Sequence, residues 1–369
     1  MRYRRMPIEI ESPEQLGYDS ILYNLCESSV TDARWSDLKL DLGDLVLAYG
    51  DHFGKPELRA LLTHDYPPLQ PDHVLLTIGA AAALFIISTS LLQPGDHMLV
   101  VYPNYATNVE TPRQIGADYE LFQLSFDRGY QIDIDALIAR IRPNTRLVSI
   151  TVPHNPTGAT VSQSDLFRLI QAVESRGCLL LVDETYREMA YDQALPPAAS
   201  LSPSVISVSS LSKTYGLPGI RLGWLMTQNA ALMPTFLAAK EQIFISGSVL
   251  DEEVAYRYLL NKDTHLARIR SDIARKLAIV QEWVAEEALI EWVEPRGGVA
   301  CFPRIKADVN VDLKRFYDAL NGKYRTMVGP GHWFEQDDRH MRIGFGWPSD
   351  DQLRSGLENI SHALRDTLG

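Results

Sequence analysis

The chain has 369 residues and carries 35 Lys and Arg against 47 Asp and Glu, which gives a formal net charge of −12. Hydrophobic residues make up 46% and charged residues 22%, and these values exclude a disordered chain, a fibrous repeat and a small disulfide-stapled protein. The acidic balance argues against nucleic acid or an anionic membrane surface as a partner, because both usually require a basic face.

The cysteines and the apolar stretches indicate a reduced cytoplasmic protein with no membrane span. Cys26, Cys178 and Cys301 lie far apart and form no CxxC pair, so neither a disulfide framework nor a metal site is predicted. The basic first residues are not followed by an apolar run, which excludes a signal peptide. The longest apolar stretch, residues 80–92, is interrupted by Ser and Thr and is shorter than the roughly 18 residues that span a bilayer. We interpret it as a buried helix.

The first predicted element is a helix near the start of the chain. Ser12 would cap it, Pro13 would take its first position, and Leu16, Ile21 and Leu25 would form its apolar face.

The middle of the chain alternates between two patterns. Helical spacing is clearest over residues 164–176, with Ser162 or Ser164 as the cap and Gly177 at the end. Short apolar runs predict buried strands at residues 74–77, 97–102, 147–152, 179–182 and 205–208. This alternation predicts an α/β fold with a mostly parallel sheet covered by helices on both faces. Because ligands bind such sheets at the carboxyl ends of the strands, functional residues are expected in the loops that follow them.

The two ends of the chain differ from its middle. Beyond the strands the sequence becomes helical and charged, with shorter alternating segments at residues 299–305 and 340–345. We predict a large α/β unit over residues 45–250. Residues 1–44 and 251–369 would together form a smaller α+β unit.

Three loops that follow predicted strands carry an unusual set of polar groups. They read PHNPTG at residues 153–158, DETY at 183–186 and SSLSKTYGLPGIR at 209–221. Taken singly, each has an ordinary structural explanation as a turn, a helix cap or a surface lysine. Their occurrence in this order, each directly after a strand, indicates chemistry.

The segment SLSKTYGLPGIRLGW at residues 210–224 resembles the class I/II aminotransferases, which are pyridoxal 5′-phosphate (PLP) enzymes of fold type I. The resemblance runs in chain order from Tyr49 to Arg342. It implies a mostly parallel central sheet between helices, a small α+β domain, and PLP as the cofactor. It also implies an amino acid and a 2-oxo acid as substrates, and a homodimer with a shared active site.

The resemblance assigns the central chemistry to three loop residues and one amide. Lys213 would hold PLP as a Schiff base and move a proton at the substrate Cα, which requires a neutral amine and therefore a lowered pKa. Asp183 would pair with the pyridine nitrogen and keep it protonated. Tyr186 and Asn155 would reach the 3′-oxygen of the ring. The structural alternatives are a surface lysine, a capping aspartate and a core tyrosine.

The phosphate of PLP requires donors and positive charge. The amides of Ala80 and Ala81 would lie at a helix N-terminus, which attracts anions. Ser210, Ser212 and Arg221 would add hydroxyls and a guanidinium. The alternative is simple packing of an alanine-rich helix start.

The resemblance implies roles for three further residues. Tyr105 would stack on the PLP ring, and Tyr49 would reach the phosphate in the neighbouring subunit. Arg342 would bind the substrate α-carboxylate, with Asn155 beside it. A core tyrosine, a loop tyrosine and a surface arginine are the structural alternatives.

The N-terminal region departs from the common aminotransferase pattern. Residues 23–30, YNLCESSV, and the segments HNPTGAT and GGVACFPR resemble the branch that includes capreomycidine synthase, whose enzymes cyclise a hydroxylated arginine after elimination. Glu27 would then face a cationic substrate end such as a guanidinium, or it is a solvated glutamate.

Several reactions therefore stay open. Transamination is the first interpretation, and elimination with cyclisation is the second. A non-catalytic PLP-binding domain is the third. A Rossmann dehydrogenase is set aside because no GxGxxG follows an early strand.

Overall fold

The computed structural model describes residues 2–369. The helices are α1 (Pro7–Ile10), α2 (Pro13–Leu16), α3 (Trp35–Leu38), α4 (Pro56–Thr63), α5 (Gly79–Leu91), α6 (Thr107–Ile115), α7 (Ile134–Ala139), α8 (Gln163–Arg176), α9 (Met233–Phe244), α10 (Val249–Leu259), α11 (Lys262–Glu286), α12 (Leu313–Asp318) and α13 (Asp350–Asp366). The strands are β1 (Tyr23–Asn24), β2 (Val74–Ile78), β3 (His97–Tyr102), β4 (Asp118–Gln123), β5 (Thr145–Thr151), β6 (Leu179–Asp183), β7 (Val205–Ser210), β8 (Leu222–Met226), β9 (Ile290–Glu291), β10 (Ala300–Cys301), β11 (Arg304–Ile305), β12 (Thr326–Met327), β13 (Gly329–Pro330) and β14 (Met341–Gly344).

A seven-stranded sheet forms the centre of the molecule, in the order β2-β8-β7-β6-β5-β3-β4. Only β8 runs antiparallel to its neighbours in this sheet. Residues of β3 and β7 are buried along their whole length, as expected for strands covered on both faces. The predicted α/β fold is therefore confirmed, and each of the five predicted strands is present.

Two strands of the sheet were not predicted from the sequence. The edge strand β4 reads DYELFQ and is mostly half-buried, so it lacks the apolar run of a central strand. The strand β8 contains Gly223, and it begins directly after Arg221, whose φ is +48°.

The predicted helix over 164–176 is present as α8, and its ends follow ordinary capping rules. The Ser162 hydroxyl accepts a hydrogen bond from the Asp165 N–H at 3.1 Å, so Ser162 is the cap. Gly177 ends the helix at φ +67°.

The predicted N-terminal helix is wrong in its extent. The helix α2 begins at Pro13 as expected, but it is a single turn that ends at Leu16, and the Ser12 side chain makes no capping bond. Gly17 stops the helix with a φ of +88°. Leu25 lies beyond β1 instead, fully buried in the core. Burial of this leucine, together with the glycine, outweighs the helical spacing of the apolar residues.

Elements from both ends of the chain pack together beside the sheet. The strand β1 pairs in parallel with β12, and β14 lies between β10 and β13. The long helices α11 and α13 pack on each other and contribute to the same core. The division into residues 45–250 and the two ends stays a prediction.

All three cysteines are buried, and none forms a disulfide within the described chain. Within residues 2–369, no helix is long and apolar enough to cross a membrane, and no cluster of three or more His, Cys, Asp or Glu side chains could hold a metal ion. The cytoplasmic location stays a prediction.

Candidate active site

The predicted site residues gather at the carboxyl ends of β5, β6 and β7, which lie side by side. Thr151 is paired with Asp183, and Asp183 with Val208, so the loops that follow these strands open on one edge of the sheet. The Thr214 hydroxyl donates to the Thr185 carbonyl at 2.9 Å. This bond holds the loop of the predicted lysine against the loop of the predicted carboxylate.

Lys213 is half-buried in the loop after β7, and its carbonyl accepts a hydrogen bond from the Val30 N–H at 3.0 Å. Within residues 2–369, its Nζ has no hydrogen bond or ion pair. Burial lowers the pKa of Lys213, and the charge of Arg342 adds to this effect, whereas the charge of Glu27 opposes it. A larger fraction of the amine is therefore neutral and nucleophilic than in a free lysine.

Asp183 is a buried carboxylate without a cationic partner among the described residues. Its Oδ1 accepts hydrogen bonds from the Thr185 N–H at 3.0 Å and the Thr185 hydroxyl at 2.7 Å. Burial raises the pKa of Asp183, and these two hydrogen bonds oppose the rise. A protonated ring nitrogen would supply the positive charge that this carboxylate lacks.

The guanidinium of Arg221 lies over the start of α5. Gly79 is the first residue of that helix and has a φ of +71°, and a Cβ on it would lie 2.8 Å from Nη2 of Arg221. Nη1 of Arg221 donates to the Pro218 carbonyl at 2.9 Å and to the Ser212 hydroxyl at 3.4 Å. A guanidinium, a hydroxyl and a helix N-terminus therefore converge, which is the arrangement that binds a phosphate.

The remaining predicted phosphate ligands lie in the same corner, which is formed by Arg221, Ser212 and the start of α5. Ala80 and Ala81 are in the first turn of α5, where backbone N–H groups have no partner within the helix. The Ser210 hydroxyl accepts a hydrogen bond from the Ser212 N–H at 3.4 Å. Gly223 lies on the neighbouring strand β8, and a Cβ on it would lie 2.6 Å from the Ala80 nitrogen.

Arg342 and Asn155 contact each other, and the charge of Arg342 acts on Lys213. Arg342 projects from β14 and is only 4% exposed. Its Nη1 donates to Asn155 Oδ1 at 3.3 Å, its Nη2 donates to the Cys26 carbonyl at 2.7 Å, and its Nε has no partner in the described part of the chain. The guanidinium carbon lies 5.1 Å from the centroid of the Phe334 ring. A buried arginine with an unused donor is suited to bind a carboxylate.

Tyr186 is buried, and its hydroxyl donates to the Ser28 carbonyl at 2.7 Å. Burial raises the pKa of Tyr186 to about 12, so the hydroxyl keeps its proton. Since that proton is directed at Ser28, donation to the 3′-oxygen of a bound ring requires the hydroxyl to rotate. The predicted role of Tyr186 stays a prediction.

Tyr105 and Tyr49, the two other tyrosines predicted for the site, differ in exposure. Tyr105 lies in the loop after β3. Desolvation raises the pKa of its hydroxyl, on which the charges of Arg221 and Asp183 also act. The residue is 39% exposed, and its stacking on the PLP ring stays a prediction. Tyr49 is 85% exposed, and its predicted role in the neighbouring subunit stays a prediction.

Glu27 is half-buried in the segment after β1, and its Oε1 accepts a hydrogen bond from the Tyr18 hydroxyl at 3.2 Å. Among the charges that act on Lys213, that of Glu27 has the largest influence, followed by that of Arg342. The charge of Glu27 therefore acts on Lys213, and its predicted role toward a cationic substrate end stays a prediction.

Sequence reasoning missed four residues that shape the site: Gly79, Gly223, Thr185 and Phe334. A glycine inside a strand indicates a close approach of backbone, so Gly223 was detectable. The other three are visible only through their contacts in three dimensions.

The chain was then compared with known proteins. Residues 23–360 match the sequence profile of "Aminotransferase class I and II". Capreomycidine synthase from Streptomyces vinaceus is 33% identical over 329 residues, which are 88% of this chain and 82% of that protein. A PLP-dependent aminotransferase from Streptococcus suis 89-1591 has a TM-score of 0.92 and 29% identity over the whole of both chains. The PLP-dependent cyclase OrfR has a TM-score of 0.89 and 28% identity, covering 99% of this chain and 98% of its own.

The residues present fit PLP. An uncompensated buried carboxylate, a lysine without a partner in residues 2–369 and the predicted phosphate-binding corner lie on one edge of the sheet. In that corner a Cβ at Gly79 would lie 2.8 Å from Arg221, and one at Gly223 would lie 2.6 Å from the Ala80 nitrogen.

The first prediction concerns that corner. We expect Gly79→Ala to weaken PLP binding at least about tenfold, because the new methyl group displaces Arg221 from the phosphate position. Gly129→Ala is the matched control, since Gly129 has a similar φ of +64° and a Cβ added to it would meet nothing within 4 Å. Titration of each apoprotein with PLP, followed by absorbance, measures the affinities. Equal affinities for the two variants would show that the corner does not hold the phosphate.

Proposed function

The chain belongs to the aminotransferase class I and II family and uses PLP, and on this premise we propose that it transfers the α-amino group of an amino acid to a 2-oxo acid. One observation carries the proposal. The desolvated amine of Lys213 has no partner within the described chain, and it is subject to the charge of Arg342, an arginine with a free buried donor.

Each site residue has a distinct task in this proposal. Bound PLP supplies an electron sink that lets the substrate Cα release its proton. Lys213 holds the cofactor and then moves that proton. Asp183 keeps the ring nitrogen protonated, and Arg221 with the start of α5 holds the phosphate. Arg342 and Asn155 orient the substrate by its α-carboxylate, so that the Cα–H bond faces Lys213.

The second prediction separates amino-group transfer from elimination. Amino acids are added one at a time to the PLP-loaded enzyme without a 2-oxo acid, and the panel includes arginine and hydroxylated arginine. Transfer yields one equivalent of 2-oxo acid per site and then stops, because the amino group stays on the cofactor. Elimination or cyclisation continues beyond one equivalent and releases ammonia or water.

Product mass and an ammonia assay distinguish these outcomes, and Lys213→Ala is the control without the lysine. Turnover beyond one equivalent would contradict transamination. No product with any amino acid would contradict both reactions.

A second candidate function is elimination and cyclisation of a hydroxylated arginine-type substrate. The observation that favours it is that Glu27 and Arg342, which carry opposite charges, both act electrostatically on Lys213. A substrate with a carboxylate at one end and a guanidinium at the other would match both charges. Two of the similar proteins, capreomycidine synthase and OrfR, carry a synthase or cyclase name.

The third prediction tests Glu27. Because its charge raises the pKa of Lys213, Glu27→Gln is expected to shift the pH midpoint of the visible absorbance of the PLP-loaded enzyme to lower pH. We also expect KM for arginine-type substrates to rise about tenfold or more, because a charge-assisted hydrogen bond is lost. KM for a neutral amino acid should not change.

Glu282→Gln is the control, because Glu282 is exposed and pairs with Arg354 away from the site. An unchanged midpoint together with an unchanged preference for arginine-type substrates would refute the assigned role of Glu27.

We further propose that the enzyme is a homodimer whose sites are shared. Val46, Leu47 and Tyr49 are 74%, 78% and 85% exposed, an unusual cluster of exposed apolar side chains. The hydroxyl of Tyr49 would reach the phosphate in the partner subunit.

The fourth prediction uses mixed dimers. Tyr49→Ala alone should weaken PLP binding, and Lys213→Ala alone should be inactive. A mixed dimer of the two variants contains one site with both Tyr49 and Lys213 intact, so mixing after dissociation should restore tight PLP binding and activity. Sedimentation velocity checks the dimer. Absence of recovery in a verified mixed dimer would rule out the shared site.

A further inference from the structure

His332 is held between two carboxylates. Its Nδ1 lies 2.8 Å from Asp338 Oδ1, and its Nε2 lies 2.7 Å from Glu11 Oε2. The indole N–H of Trp333 donates to the same oxygen of Glu11 at 2.7 Å. A neutral imidazole has one N–H, and a carboxylate only accepts, so both contacts of His332 are hydrogen bonds only when the ring is charged.

These contacts join distant parts of the chain. Glu11 lies in the link between α1 and α2, whereas His332 and Trp333 lie in the turn after β13. The next residue of that turn, Phe334, packs against the guanidinium of Arg342, and its carbonyl accepts a hydrogen bond from the Tyr102 hydroxyl at 2.7 Å. The turn therefore contacts both the N-terminal residues and the arginine of the site.

The N-terminal residues 2–22 make contacts at both of their ends, with Glu27 and with α6. The Tyr18 hydroxyl donates to Glu27, and the charge of Glu14 acts on Lys213. At its far end, the Arg2 N–H donates to Gln114 Oε1 on α6 at 3.1 Å. The segment thus connects α6 with residues whose charges act on Lys213.

We propose that Glu11, His332 and Asp338 form a pH-sensitive catch that fastens residues 2–22 across the substrate site. His332 is a positioning residue, since it touches neither the cofactor nor the substrate position. The kinetic part of the proposal rests on the proposed function, whereas the structural part does not.

The direction of the pH dependence follows from the surroundings of His332. Desolvation lowers its pKa, but the hydrogen bonds and charges of Glu11 and Asp338 outweigh that effect and raise it. These two carboxylates are the charged groups that face the ring, Glu11 from the N-terminal link and Asp338 from its own loop. The catch is complete below the ordinary histidine pKa of about 6.5, and it loosens as the pH rises through the raised value.

A second set of hydrogen bonds holds the C-terminal end of the segment. Arg325 donates to the carbonyls of Asp19 at 2.9 Å and Ser20 at 3.4 Å, and neither bond depends on the charge of His332. Loss of the catch should therefore loosen residues 2–16, which keep the bonds from Trp333 to Glu11 and from Arg2 to Gln114, while the stretch around residue 20 stays attached.

The fifth prediction is tested first by limited proteolysis of the PLP-loaded enzyme. The guanidinium of Arg5 donates within the segment to Gln15 Oε1 at 2.9 Å, so trypsin cleavage after Arg5 reports local opening. At each pH the cleavage rate of the wild type is divided by that of His332→Gln. We expect this ratio to increase about fivefold between about pH 6 and about pH 9. His332→Gln and Glu11→Gln should both be open and independent of pH.

The second readout is kinetic. In the wild type KM should rise about fivefold over this range with little change in kcat, and this dependence should be absent in His332→Gln and Glu11→Gln. His64→Gln is the matched control, because His64 forms a similar pair with Asp65 on the surface just after α4. It should behave as the wild type.

The two readouts separate the possible failures. Wild-type cleavage that does not change with pH, or unchanged pH dependence in both variants, would overturn the catch. Cleavage that changes as expected while no amino acid is turned over would refute the proposed function and leave the catch supported. Visible absorbance of bound PLP verifies that each variant is folded.

Discussion

The candidate site depends on two titratable groups, a carboxylate and an amine, that lie at one sheet edge and are not paired with an opposite charge within the described chain. Asp183 lies 6% exposed and has hydroxyl and amide partners, and the amine of Lys213 has no partner within residues 2–369. A buried charge without compensation is strongly unfavourable, so such groups persist where a ligand completes them. A cofactor with a protonated ring nitrogen and a carbonyl carbon satisfies both at once. The parallel strands supply the rigid edge on which the two groups are held.

The N-terminal stretch reaches this edge mainly through its backbone. The carbonyl of Cys26 binds Arg342, the carbonyl of Ser28 binds Tyr186, and the N–H of Val30 binds Lys213. Backbone groups are common to all residues, so none of these contacts has a sequence pattern. Their effect is nevertheless specific, because they orient the arginine, the tyrosine and the lysine loop together. Gly344 permits this packing, since a Cβ on it would overlap the Glu27 carbonyl.

The sequence was informative wherever short-range rules decide the structure. The apolar runs predicted five strands of the sheet, and the Ser162 and Gly177 signals predicted α8 with its cap. The N-terminal helix was wrong because burial of Leu25 in the core overrides the local spacing. The roles of Gly79 and Phe334 could not be predicted, since Gly79 contacts Arg221, which is remote along the chain, and Phe334 reaches Arg342 across the turn after β13. The loop residues were found through their positions after strands and through family resemblance, whereas their partners required the fold.

The pKa of Lys213 is set by opposing influences from two parts of the chain. Burial, Arg342 and Arg221 lower it, and these influences come from the sheet edge and from β14. Glu27 and Glu14 raise it, and both belong to the first part of the chain. Burial is the largest of these influences, so the amine is more often neutral than in a free lysine, and the two carboxylates limit that effect. The part of the chain that holds Arg342 and the lysine loop through its backbone therefore also moderates the basicity of the amine.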